Sequence, residues 1–86
     1  MIYQFKGKTK QKDADHPNIV FALKVDEGAD PSETFAILDE TKADAEGNFT
    51  LTWADWGERV DIIAIDDDPT EELDPVLISR TRGVEV

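Results

Sequence analysis

Two short runs constrain this chain more than any other part of it. Ile19-Val20-Phe21-Ala22-Leu23-Lys24-Val25 is rich in β-branched and aromatic residues, and Phe49-Thr50-Leu51-Thr52-Trp53 alternates strictly between apolar and hydroxyl side chains. A period of two is that of an extended strand, whose successive side chains leave on opposite faces. A helix would not gather Phe49, Leu51 and Trp53 on one side. The chain therefore has to build at least one sheet with a buried face, and the rest of the sequence can be read against that requirement.

Other segments follow the same period. From Ile2 to Thr9, Tyr3, Phe5 and Gly7 point one way, and Gln4, Lys6 and Lys8 the other. Within the first run, Ile19, Phe21, Leu23 and Val25 share one face and are expected to point inward, with Val20 and Ala22 opposite. Thr34 to Thr41 reads as a strand; Glu33 to Leu38 also fits one or two helical turns, but the segment is short and closely bounded by turns. Val60 to Ile65 contains the adjacent pair Ile62-Ile63, the mark of a strand covered on both faces. Val76 to Ser79 forms another strand, and Gly83 breaks the chain before Val84-Glu85-Val86. Turn residues separate these runs: Pro17, Gly28 with Pro31, Asp44 to Asn48, Ala54 to Glu58, and the acidic stretch Asp66 to Pro75. Six to seven short strands at this spacing predict an all-β sandwich or barrel.

The chain has 86 residues, which predicts one domain spanning residues 1–86, with a stability on the order of 5 kcal/mol. It has no cysteine, so neither a disulfide nor a thiolate enters the chemistry. The opening Met1-Ile2-Tyr3-Gln4-Phe5-Lys6 carries no apolar signal core. With Met1 as the native start, the expectation is a free-standing protein made in the cytoplasm; the alternative is a domain cut from a longer chain. The net charge is −11 and uneven: residues 1 to 12 hold four lysines and no acid, and the remainder holds five basic and twenty acidic residues. Such a body repels nucleic-acid phosphates and anionic membranes at long range, keeps a small protein soluble and favours a basic partner surface.

Candidate sites are few. Asp66-Asp67-Asp68 offers oxygen ligands, yet lacks the alternating acids and central glycine of a calcium loop, so a solvated acidic loop is the expectation. Lys6, Lys8, Lys10 and Lys12 recur at period two. They either discourage edge pairing of the first strand or form a basic stripe for docking. Trp53 continues the inward face of Phe49 and Leu51; Trp56, beside Gly57, either caps one end of the domain or anchors a partner or a sugar. His16, the single histidine, sits beside Pro17 with no partner for catalysis. Ile63 and Ile65, together with Val20 and Ala22, alternate with core positions and would make an outward apolar patch, unless a loop of the same chain covers them. The candidate interface is thus Lys6, Lys8, Trp56, Ile63 and Ile65, with no catalytic, cofactor or metal residue.

The turn Asp44-Ala45-Glu46-Gly47-Asn48-Phe49 resembles that of transthyretin-like, carboxypeptidase-regulatory-like domains: an aspartate, two variable residues, a glycine, one more residue and an aromatic strand. Asp44 can bond the turn backbone, Gly47 can take a positive φ and Phe49 can plug the core. Phe5 to Lys8, Pro17 with Ile19 to Ala22, and Gly57 with Val60 to Ala64 resemble the family's strands in order. The long stretch Asp66 to Pro75 and Lys42 before the turn depart from it. The resemblance implies an immunoglobulin-like or transthyretin-like antiparallel sandwich. One hydrolase family shares that fold but needs several histidines, and Thr81-Arg82-Gly83-Val84 matches only the Arg-Gly of its terminal motif.

Free-standing domains of this kind resemble small structural proteins of tailed bacteriophages. The resemblance implies a non-enzymatic virion accessory protein of the head, neck or tail, without cofactor, assembled in the host cytoplasm and bound to capsid or tail proteins or to its own copies. The alternatives are a surface module of a secreted, extracellular adhesin or glycan-binding protein, and an acidic inhibitor or DNA mimic.

Overall fold

The computed structural model describes residues 1–9, 17–66 and 75–86. Among these residues there are seven strands: β1 (Ile2–Lys8), β2 (Asn18–Val25), β3 (Phe35–Lys42), β4 (Asn48–Ala54), β5 (Arg59–Asp66), β6 (Val76–Arg82) and the short β7 (Val84–Glu85). A 3-10 turn, Pro31–Glu33, precedes β3. The strands form two antiparallel sheets packed as a sandwich, one of order β4-β1-β7 and one of order β3-β2-β5-β6. The expected all-β sandwich is what the chain forms.

The core lies between the sheets. Phe49, Leu51 and Trp53 of β4 meet Val20 and Ala22 of β2 and Val60, Ile62 and Ala64 of β5, with Tyr3 and Phe5 of β1 packed against them. The alternation in β4 is perfect: its apolar members are buried and Thr50, Thr52 and the strand ends are exposed. The phenyl rings of Phe5 and Phe49 stack at 5.9 Å, filling the end of the core beside Gly7.

One expectation is inverted. Val20 and Ala22, expected to point outward, are fully buried, and Ile19, Phe21 and Leu23 lie on the outer face of the four-stranded sheet. The register explains the reversal. Val20 pairs with Ala64 and Ala22 with Ile62, whereas Ile19 pairs with Ile65 and Phe21 with Ile63. Once β5 turns Val60, Ile62 and Ala64 inward, its pleat commits the even-numbered side chains of β2 to the same side. The small residues of β2 then face the bulky indole and leucine of β4, a large-to-small fit that a Phe21-in arrangement would overfill.

Both edge strands of this sheet are bulged. The β2–β3 register slips between Ala22 and Leu23, so that Leu38 is extra on β3, and the β5–β6 register slips between Ile62 and Ile63, so that Ile78 is extra on β6. Both extra residues pack against the core. Asp39, beside the first bulge, accepts the Thr52 backbone N–H at 2.8 Å, which ties β3 to the edge of β4 and closes that side of the sandwich. On the other side Gly83 carries the chain from β6 to β7. A β-carbon there would run into the Trp53 ring and come within 2.7 Å of Tyr3 Cβ, so only glycine lets the strand cross so close to the core.

The turn before β4 has the expected construction. Asp44 Oδ1 accepts the backbone N–H of both Glu46 and Asn48 at 2.9 Å. Gly47 has φ +88°, and a β-carbon on it would meet the Thr9 carbonyl oxygen at 2.7 Å. Phe49 enters the core directly after the turn, 5% exposed. These N–H donors, that of Asn48 foremost, hold the Asp44 carboxyl below its ordinary value. A carboxyl depressed in the folded state adds stability that is complete above its unfolded value, about 3.9, and is lost as pH falls through the lower folded value. Asp44→Asn should therefore lower the urea midpoint at neutral pH and leave a smaller difference from the parent at strongly acidic pH. A difference that stayed constant across that range would show that the carboxylate charge contributes nothing to the turn.

Candidate functional site

The two broad faces of the sandwich differ in chemistry. The outer face of the three-stranded sheet carries Gln4, Lys6 and Lys8 on β1, opposite Thr52, Thr50 and Asn48 on β4. It is polar along most of its length, with Lys6 and Lys8 exposed, and carries the exposed apolar Ile2 and Val84 at one end. β1 pairs with β4 along its whole length but with β7 only at Tyr3 and Gln4, so among the described residues its lysine-bearing half pairs on one side. Lys10, Lys12, His16, Asp67 and Asp68 lie outside the described residues.

The outer face of the four-stranded sheet is apolar across three strands and part of the fourth. β2 places Ile19, Phe21 and Leu23 there, β5 places Ile63 and Ile65, β3 adds Phe35 and Ile37, and β6 adds Leu77. Ile63 and Ile65 thus lie on the side of β5 away from the core and are half-buried there. Phe35 is 60% exposed, Ile37 59% and Leu77 46%. A solvated sheet face alternates apolar-in with polar-out. This face departs from that rule at Phe35, Ile37 and Leu77, which stand exposed beside the partly buried Ile19, Phe21, Leu23, Ile63 and Ile65.

One end of the face is held by charge. Asp61, 7% exposed, sits across from Leu23 on one side and Arg80 on the other. The Arg59 guanidinium donates to both of its oxygens, at 3.2 and 3.3 Å, and Arg80 lies 3.8 Å away. Arg59 also reaches Glu27 at 3.0 Å, and Arg82 reaches Glu58 at 3.2 Å. Arg59 and Arg82 are directly cross-strand. Two like charges so placed repel, and the three carboxylates offset that repulsion. The hydrogen bond and charge of Asp61 push the Arg59 guanidinium further toward its charged form.

Trp56 is half-buried at the same end of the molecule. Its indole N–H donates to the Arg59 carbonyl at 2.9 Å, and its own carbonyl accepts the Trp53 indole N–H at 2.9 Å. Lys24 Nζ lies 4.4 Å from the ring centre. Trp56 therefore packs as a cap over the core, with one face of its ring already in contact with a cation. A shallow groove of about 230 Å³ runs beside it, lined by Asp26, Glu27, Glu58 and Arg59 among others.

The sequence missed Phe21, Leu23, Phe35, Ile37 and Leu77 as surface residues. The signal available was Asp61: a carboxylate two positions before Ile63 marks the odd-numbered side of β5 as the side away from the core. Among the described residues no cluster of three histidines, cysteines or carboxylates is placed to hold a metal ion. No family model, no curated protein and no solved structure matches the chain.

Proposed function

We propose that this protein is a non-enzymatic structural module that buries the outer face of its four-stranded sheet against another protein chain. The observation that carries the reading is the exposure of Phe35, Ile37 and Leu77 around a half-buried floor of Ile19, Phe21, Leu23, Ile63 and Ile65. Contiguous exposed apolar side chains of this kind mark contact surfaces, and covering them contributes about 25 cal/mol per Å². The resemblance to small virion proteins points to a capsid- or tail-like assembly as the setting. A glycan-binding role draws less support, because the indole N–H of Trp56 is already bonded and Lys24 stands over its ring. A DNA mimic would need acids along one flank. Here Asp44 and Glu46 lie in the turn between β3 and β4, whereas Asp26, Glu27, Asp30, Asp55 and Glu58 lie in turns at the opposite end of the strands.

The test is site-specific photocrosslinking in an extract of the organism that carries the gene. A benzophenone side chain at position 37, on the apolar face, should give a protein adduct. The same group at position 50, on the polar face, should give none. Adducts from position 50 alone would overturn the reading.

A further inference from the structure

We infer that the chain covering this apolar face is a second copy of the same protein, packed sheet against sheet about a twofold axis. The inference rests on the docking reading above and names the occupant. Three observations carry it.

The first is charge. The molecule as a whole carries −11, which would oppose self-association. Among the described residues, the strands of the apolar face and their ion-pair partners do not share that excess. The strands place Arg59, Arg80, Arg82 and Lys42 against Glu40 and Asp61, and Glu27 and Glu58 pair with the arginines from the adjoining turns. These four cations and four anions cancel, so bringing two such sets together sets no net charge of theirs against its like. The same pairing weakens the case for an acidic ligand. Each of the three arginines already holds a carboxylate of its own chain, and an incoming anion would have to displace it.

The second is area. The molecule measures 38 × 29 × 15 Å, so the four-stranded sheet presents its outer side on one of the two broad faces. A standard protein interface takes about 800 Å² from each partner, which a face of these dimensions can supply. Twisted sheets of the same hand stack face to face about 10 Å apart with interdigitating side chains. A second copy supplies that twist and the same apolar side chains.

The third is that the competing way to cover this sheet's surroundings, edge pairing through β3 or β6, is obstructed. Both edge strands of the sheet carry a bulge, at Leu38 and at Ile78, and bulges interrupt the ladder that an added strand would need. Edge pairing along β6 would also leave Phe35 and Ile37 uncovered, because β2 and β5 lie between β6 and β3.

The experiment is sedimentation equilibrium or light scattering on the full chain across a concentration series. The parent should reach twice the 9.6 kDa chain mass. The double variant Phe35→Ser, Ile37→Arg should stay monomeric at concentrations where the parent is dimeric, with the dissociation constant raised roughly 100-fold or more. Both residues are mostly exposed, so its far-UV circular dichroism should match the parent. Lys6→Glu with Lys8→Glu, on the opposite face, should leave the dimer intact. A parent monomeric to about 1 mM, the range of the weakest specific complexes, overturns the second-copy assignment. So does a dimer that survives the Phe35, Ile37 substitution. Crosslinking separates this failure from failure of the docking reading. A monomeric parent that still gives an adduct from position 37 to a different chain removes only the copy, and a monomeric parent with no such adduct removes both.

Discussion

Replacing Trp53 with alanine should destabilise the domain by about 3–5 kcal/mol, which removes most of the stability expected of it. Trp53 is 4% exposed at the centre of the core cluster. Three elements depend on it. Its indole N–H satisfies the Trp56 carbonyl, which positions the turn between β4 and β5. Its ring floors the crossing at Gly83, where the chain changes sheets. On β1 it is paired with Tyr3, the residue that also registers β7. Alanine leaves a cavity and an unpaired carbonyl together, and both costs are felt in a core this small. Urea denaturation followed by far-UV circular dichroism measures the effect without relying on the lost indole signal. A midpoint within error of the parent would show that the sheets are not joined through this side chain.

What the sequence reveals of this fold is set by how local the causes are. The strands are legible because a period of two needs only neighbouring residues, and the observed boundaries of β1, β2 and β4 fall within a residue or so of the alternating runs. The turn at Asp44, Gly47 and Phe49 is legible for the same reason: a side-chain acceptor, a glycine with positive φ and an aromatic plug act within a few residues of one another. The choice of face in β2 is not local. Ile19-Val20-Phe21-Ala22-Leu23 is apolar on both sides, so either side could serve the core. The decision belongs to β5, more than thirty residues away in sequence, where the charge of Asp61 and the pairing with Ala64 and Ile62 fix the pleat. The same non-locality hid most of the candidate site. Ile63 and Ile65 are visible beside Ile62, but Phe35, Ile37 and Leu77 join them only through the register of three strand pairs.

That inversion can be tested directly, and the expected contrast is large. Ala22 is fully buried, pairs with Ile62 on one side and Asp39 on the other, and faces the β4 sheet across the core. Ala22→Glu places a long, charged side chain where there is room for a methyl group. Burying an unpaired carboxylate costs several kcal/mol even after relaxation, and overpacking adds about 1–3 kcal/mol more. Their sum exceeds the stability expected of a domain this size, so the variant should not fold at neutral pH. Phe21 is its immediate neighbour but stands half-exposed on the outer face. Phe21→Ser opens no core cavity, and it should cost about 1–2 kcal/mol from the apolar contact it gives up with Ile63 and its other neighbours. Circular dichroism and urea titration of the two variants side by side decide the matter. A folded Ala22→Glu with an unfolded Phe21→Ser would mean that β2 is turned the other way, and the apolar outer face would then lose Ile19, Phe21 and Leu23. The expected order, with Ala22→Glu unfolded and Phe21→Ser folded, fixes the large side chains of β2 on the surface. A strand that keeps Ala22 inside and Phe21 outside has fitted the interior to the opposing Trp53 and Leu51 and placed its larger apolar side chains on the outer face.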